Sequence, residues 1–359
     1  MNLPFSLRRF DLARLRRPAT IVLLGAALWF TWRWAAGLSW RDLGRRMAAA
    51  EWTLLVLALA CLIGRYLLWD RRLAIATERA VAARPRLGVA FFVLFASAAF
   101  NLITPSARVL GGPLRARYTA RSIGRPFAPL FGVILYDQLA HYAVMTSLTG
   151  LSLVAVAWAL GRPWLGAGAV AAFALLAFVA FRLASKAGQG SLAGFFARRA
   201  ERSSGRGGQL YGHGREVAQT LETLIDEPRL RLPAAGLGVG FFLLSALAQW
   251  LIFAALGRPE NALVVMAVVA LGASAGMLAG TPGGVGTTEA AMVALFGALG
   301  VGPGEAAAAT LLFRGLHYAS VLALGVPALV VLELRYGART ATPEIEESPP
   351  VETAAESAA

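Results

Sequence analysis

Eight apolar stretches, at about 19–38, 52–69, 88–103, 127–154, 164–184, 233–256, 262–279 and 306–334, run through this chain and limit it more than any other feature. Backbone placed in lipid has no water to pair with, so such stretches form helices there, and a helix needs about 20 residues to cross a ~30 Å hydrocarbon core. With 57% hydrophobic residues and a mean hydropathy of +0.61, the sequence reads as an all-α integral membrane protein. A polytopic membrane domain is expected over 1–337, followed by an acidic, Pro-bearing tail at 338–359 that reads as disordered.

One segment between the last two apolar stretches cannot be a simple crossing. Residues 281–300 read TPGGVGTTEAAMVALFGALG. Pro282 cannot continue the preceding helix, and Gly283, Gly284 and Gly286 favour an irregular backbone. A fresh helix is expected from about Thr287, roughly 18 Å long at 1.5 Å per residue, too short to cross. Irregular backbone at membrane depth is tolerated where it is buried in protein or lines a wet cavity, and free N–H groups at a helix start suit an anion. The alternative is a surface turn between two helices.

Charge placement makes the topology sharper. Arginines crowd the N-terminus, the stretch 70–87, the stretch 108–125 and the large basic loop 185–231, and the positive-inside rule places all four in the cytoplasm. Eight full crossings would put 108–125 and the central loop on the wrong face. Both conflicts vanish if 88–103 enters, breaks at Thr104-Pro105 and returns through a short helix starting near Pro113. The same reasoning makes 262–300 a re-entrant hairpin from the opposite side. The expectation is therefore about six full spans plus two re-entrant broken-helix hairpins, with both termini cytoplasmic, and Arg41, Arg45 and Arg46 as a remaining misfit. Within the central loop, 215–225 reads as an interfacial helix and the Ser/Gly-rich middle as flexible.

An internal repeat points the same way. Thr104-Pro105, Gly124 and His141-Tyr142-Ala143 parallel Thr281-Pro282, Gly300 and His317-Tyr318-Ala319. Glycine and histidine stand 17 residues apart in both sets, and threonine and histidine 37 and 36. Units of about 88–154 and 262–334 entering from opposite faces form an inverted repeat, which is a transporter architecture.

The net charge of +14 comes almost wholly from arginine, Lys186 being the only lysine. Arginine suits phosphate, although a GC-rich genome gives the same bias. Nucleic acid is not an expected partner, because the basic residues flank apolar spans. Cys61 can form no intramolecular disulfide. The apolar stretch 19–38, interrupted by Arg33 and followed by no clear cleavage site, is read as a retained first helix.

Ionisable groups inside apolar segments are costly and tend to mark a pathway or a site. The candidates are Arg108, Arg115 and Arg117 near the first break, Asp137, His141, Glu289, Arg314 and His317. Glu289 is either a helix-end carboxylate favoured by the dipole or a buried group that pairs with an arginine or takes up protons. Arg314 calls for a partner such as Glu289 or an anionic headgroup. Asp137 and His141, one turn apart, share a face. Arg65 with Trp69 reads as an interfacial anchor. There is no Ser/His/Asp nucleophile arrangement, no Cys/His metal spacing, no P-loop and no dinucleotide fingerprint, so neither an enzyme nor a cofactor is expected.

The run Pro282-Gly283-Gly284-Val285-Gly286-Thr287-Thr288-Glu289, followed by Arg314 in LLFRGLHY, resembles the signature of the lysylphosphatidylglycerol synthase transmembrane (flippase-like) family. So do Arg65 and Trp69 in RYLLWDRRL, Asn101 with Pro105 before an Arg-rich segment, and Asp137. The first motif departs from the common pattern, with Gly111-Gly112-Pro113 where many members place a glutamate near the glycine. The resemblance implies a bacterial inner-membrane protein that moves a lipid between leaflets, as the flippase half of the multiple peptide resistance factors is thought to do, here without their aminoacyl-transferase domain. The substrate would be a phospholipid or a polyprenyl-phosphate lipid, held by Arg108, Arg115, Asp137, His141, Gly283, Gly284, Gly286, Glu289, Arg314 and His317. The alternative function is a scaffold for a lipid-modifying or glycosyl-transferring enzyme, docked on the basic loop.

Overall fold

The computed structural model describes residues 40–103, 111–164, 166–168, 170–171, 192–203, 205–279 and 281–337, and among these every regular element is helical. The expected first span, most of the span at 164–184, the Thr104-Pro105 break and the acidic tail lie outside the described residues. The helices are α1 (Trp40–Ala48), α2 (Trp52–Val81), α3 (Leu87–Ile103), α4 (Gly111–Ile123), α5 (Phe127–Ala159), α6 (Leu192–Glu201), α7 (Arg206–Asp226), α8 (Pro228–Ala255), α9 (Ala262–Leu278), α10 (Thr287–Ala298) and α11 (Pro303–Tyr336), with a 3₁₀ turn at Pro282–Gly284.

Among the described residues, four helices, α2, α5, α8 and α11, are long and apolar enough to cross a membrane. These are four of the six expected full spans. They extend beyond their apolar stretches: α2 runs on through Arg71 and Arg72 to Val81. α2 and α8 pack antiparallel, with Gly64 facing Leu244, Gly240 facing Leu68, and the Glu51 N–H donating to the Ala255 carbonyl at 2.9 Å. At the opposite end of this pair, Glu227 accepts from Arg79 Nε at 2.8 Å, and that bond holds its carboxyl below the usual carboxylate range.

Between the long helices sit two pairs of short ones, each folded back on itself. In the first, the Gly111 N–H donates to Asn101 Oδ1 at 2.8 Å across the tip, while Val93 and Ala96 pack with Leu114 and Tyr118. In the second, Gly276 abuts Thr288, Gly272 abuts Met292, and Val268 packs with Phe296. In both, residues earlier on one helix meet later ones on the other, so α3–α4 and α9–α10 are antiparallel hairpins. The tips meet: a side chain on Gly283 would strike Leu102.

The repeat is visible in the lengths. Helices α2 to α5 have 30, 17, 13 and 33 residues, and α8 to α11 have 28, 17, 12 and 34. His141 stands fourteen residues after Phe127, and His317 fourteen after Pro303. The units run in opposite senses. α3 starts at the end where Leu73, Ala76, Ala120, Leu130 and Leu230 form one core, whereas α9 starts at the far end, where Ala50, Ala255, Val301 and Ala306 belong to another.

The stretch 185–231 differs from the loop expected of it. α6 and α7 pack on each other and α7 also packs on α5, where Gly132 admits the Val217 carbonyl and Thr220. α7 starts at Arg206, not near Arg215. Of the Gly-rich middle, Gly205 forms the turn, with a φ of 63° that glycine adopts without strain, while Gly207 and Gly208 belong to α7.

α11 packs closely on the first hairpin at Gly325, where an added methyl would press on the Phe95 carbonyl and lie 2.6 Å from Ala99. Gly315, on the same helix, has open space around it. Gly325→Ala should therefore destabilise the detergent-purified protein by about 1–3 kcal/mol, while Gly315→Ala should be neutral or stabilising by up to ~1 kcal/mol. Thermal unfolding checks this, and equal losses at the two positions would contradict the packing described.

Candidate functional site

Where the hairpin tips meet, the long helices leave a cavity of about 150 Å³, room for roughly ten water-sized sites at ~10–15 Å³ each. Arg65, Trp69, His141, Phe241, Ser245, Arg314 and His317 line it from the four long helices, with Asn101 and Gly283 at the two tips. Among the described lining residues, the permanently ionised side chains are Arg65 and Arg314. The lining residues of α2, α5, α8 and α11 lie near the middle of those helices, well away from either end of the bundle.

The first unit anchors its hairpin with Asp137, which is 1% exposed. It accepts from Arg72 Nε at 2.8 Å, Arg115 Nη2 at 2.9 Å and Trp69 Nε1 at 2.6 Å. A buried carboxylate is tolerable only when paired and hydrogen-bonded in this way. The bond to its indole positions Trp69, which lies flat against His141 with ring centroids 5.1 Å apart and has the Arg115 guanidinium 5.3 Å from its centre.

In the second unit the senses are exchanged: the base is on the long helix and the acid on the hairpin. Arg314 Nε donates to Glu289 Oε1 at 2.6 Å, and its Nη2 donates to the Gly283 carbonyl at 2.8 Å and to the Tyr318 hydroxyl. Tyr318 in turn donates to Glu289 Oε1 at 3.1 Å. The turn that presents the Gly283 carbonyl needs left-handed backbone at Gly283, Gly284 and Gly286, with φ of 59°, 73° and 82°, which explains the glycines.

Arg65 joins the units. It is buried, its Nη1 donates to Ser245 Oγ at 2.9 Å, and its Nη2 lies 2.7 Å from His317 Nδ1, which accepts when the ring is neutral. The Tyr66 and Phe241 rings flank the guanidinium. An interfacial anchor is thereby corrected: α2 continues well past Arg65, leaving it at mid-helix rather than at a boundary.

Of the residues singled out from sequence, His141, Gly283, Arg314 and His317 line the cavity, Glu289 holds Arg314, and Gly284 and Gly286 shape the turn. Arg115 and Asp137 pair with each other next to the cavity. Arg108 lies outside the described residues. Sequence reasoning missed Arg72, taken for a cytoplasmic loop charge; its signal was the helical spacing of Arg65, Trp69 and Arg72. It also missed Ser245, whose hydroxyl bonds the Phe241 carbonyl like that of an ordinary helix serine.

Comparison with known proteins places this arrangement in context. The family model described as "Lysylphosphatidylglycerol synthase TM region" matches residues 19–325. A protein described as "UPF0104 membrane protein" from Methanothermobacter thermautotrophicus is 26% identical over 268 residues, covering 70% of this chain and 78% of its own length. Another UPF0104 membrane protein, from Methanocaldococcus jannaschii, is 33% identical over 97 residues, which are 27% of this chain and 29% of that protein.

The Glu289–Arg314 pair yields a stability test. Arg314→Met leaves Glu289 as an uncompensated buried charge and should cost about 3–5 kcal/mol. Glu289→Gln should cost less, since an amide still accepts from Arg314, and the double change should cost less than the two singles together. Denaturation of the four purified proteins measures the coupling; strictly additive losses would contradict a direct pair.

Proposed function

Because this chain belongs to the lysylphosphatidylglycerol synthase TM region family, we propose that it is a lipid translocator, moving a phosphate-bearing lipid between the leaflets of a bacterial inner membrane. The observation that carries this reading is the cavity between two inverted hairpin units, with Arg65 and Arg314 as its permanent charges. Guanidinium groups bind phosphate oxygens through a planar fork of donors. A cavity of this size takes a headgroup phosphate and leaves the acyl or polyprenyl tails in lipid. Both units contribute to the site, so movement of one against the other would open it to either face in turn, as in transporters built from inverted repeats. No catalytic step is assigned.

The membrane orientation follows from charge. The end of the bundle bearing Arg79, Arg84, Arg86, Arg121, Arg125, Arg229 and Arg231 is cytoplasmic by the positive-inside rule. The misfits at the far end are partly neutralised: Arg45 pairs with Asp42, and Arg46 lies 3.7 Å from Glu305. The rival reading, a scaffold for a lipid-modifying enzyme, draws on the α6–α7 hairpin, which exposes Leu192, Phe195 and Leu210 beside Arg198 and Arg199.

Leaflet-resolved transport in vesicles of purified protein separates the two. One arm carries fluorescent phosphatidylglycerol and the other a fluorescent polyprenyl phosphate. Wild type should move at least one of them, and Arg65→Gln should slow it about tenfold or more, given ~1.5–3 kcal/mol for a charged hydrogen bond. His213→Ala, in the α6–α7 hairpin, should have no effect. A folded wild type that moves neither lipid would favour the scaffold.

A further inference from the structure

The cavity and its two ion pairs leave one buried acid unused. Asp70 follows Trp69 on α2, is 1% exposed, and has no hydrogen-bond partner on either carboxylate oxygen among the described residues. The charges that act on it are Arg115 of α4 and Asp137 of α5. Arg72, on its own helix, is bound to Asp137. α3 carries no ionisable side chain, α8 has none beyond Arg231, and α11 has Arg314 and His317 at the cavity, Glu305 near its start and Glu333 and Arg335 near its end.

Two opposed forces meet at this carboxyl. Burial without a hydrogen bond favours the neutral acid, because an ionised group there costs several kcal/mol. The Arg115 guanidinium favours the anion. Arg115 is engaged with Asp137 through Nη2, and its Nε–H is without an acceptor among the described residues. One guanidinium thus acts on two carboxylates, bonded to Asp137 and, among the described residues, keeping an unpaired Nε–H.

We propose that Asp70 is a proton-binding site that couples lipid translocation to proton uptake, which rests on the function proposed above. The lipid-free protein rests with Arg115 turned to Asp70, whose carboxylate is ionised; in the arrangement described, which lipid binding selects, Arg115 holds Asp137 and Asp70 carries a proton. A shift of α4 that transfers Arg115 to Asp70 ionises it, and the proton leaves to water. The reverse step takes a proton from water onto the carboxylate, with no other bond made or broken. α4 is the return arm of the hairpin whose other arm lines the cavity at Ala98, Asn101 and Leu102, so headgroup entry and the position of Arg115 are mechanically linked. An anionic headgroup beside Trp69 also disfavours a second negative charge at Asp70. Lipid binding therefore draws in a proton.

The test measures proton uptake by detergent-purified protein in weakly buffered solution with a pH indicator, on adding farnesyl phosphate or, separately, dihexanoyl phosphatidylglycerol. Wild type should take up close to one proton per lipid bound. Asp70→Asn, which imitates the neutral acid, should bind with no uptake, and its transport in vesicles should ignore an imposed proton gradient that alters the wild-type rate. A lipid-induced infrared band of a protonated carboxyl in wild type, missing from Asp70→Asn, provides a readout that does not depend on the variant's transport. Binding by wild type without uptake, or equal uptake in Asp70→Asn, would overturn this assignment alone. Failure of folded wild type to bind either lipid would overturn the translocator reading with it.

Discussion

A helix that stops inside a bundle strands backbone groups where water cannot reach them, and the architecture of this protein follows from how those groups are satisfied. At the second tip, the Gly283 carbonyl is taken by Arg314. At the first, the Gly111 N–H is taken by Asn101. The arginine then needs a counter-charge and finds it in Glu289, two residues into the helix that the break allows to begin. The polar cavity, the intramembrane ion pair and the glycine turn are thus one requirement met together.

The two units solve the same problem with opposite charges. In the first, Asp137 on the long helix holds Arg115 on the hairpin; in the second, Arg314 on the long helix holds Glu289 on the hairpin. Each hairpin is tied to its own long helix by a buried pair; in the first unit Asp137 also holds Arg72, so it stays paired when Arg115 shifts, whereas in the second Glu289 and Arg314 keep hairpin and helix together. Across the units the contacts are of another kind: the close fit of Leu102 on Gly283 and the bonds from Arg65 to Ser245 and His317. These are the contacts that a headgroup phosphate would rearrange.

Much of this fold was legible because breaking a helix in lipid requires particular residues. Pro282 with Gly283, Gly284 and Gly286 marks the second break, and the arginines after Asn101 mark the first by making a full crossing untenable. The equal placing of His141 and His317 gave the repeat. What could not be read was which charge meets which. Arg72 and Arg65 look like boundary residues until α2 is known to continue to Val81, and Asp137 meets Arg72 across 65 positions of sequence. The α6–α7 hairpin was read as a loop because its apolar positions are sparse, and only packing on α5 completes it.

The central claim is that the cavity between the two units holds the phosphate of a lipid. Ser245 faces that cavity and bonds Arg65, so a cysteine there, in a Cys61→Ala background, reports its occupancy. The measurement is the rate of modification by a small charged thiol reagent, in purified protein, with and without added farnesyl phosphate or dihexanoyl phosphatidylglycerol. The account predicts that at least one of the two slows labelling of Ser245→Cys several-fold, while a cysteine at the exposed Leu210 is modified at an unchanged rate. An unaltered rate at Ser245→Cys with both lipids at saturating concentration would contradict it.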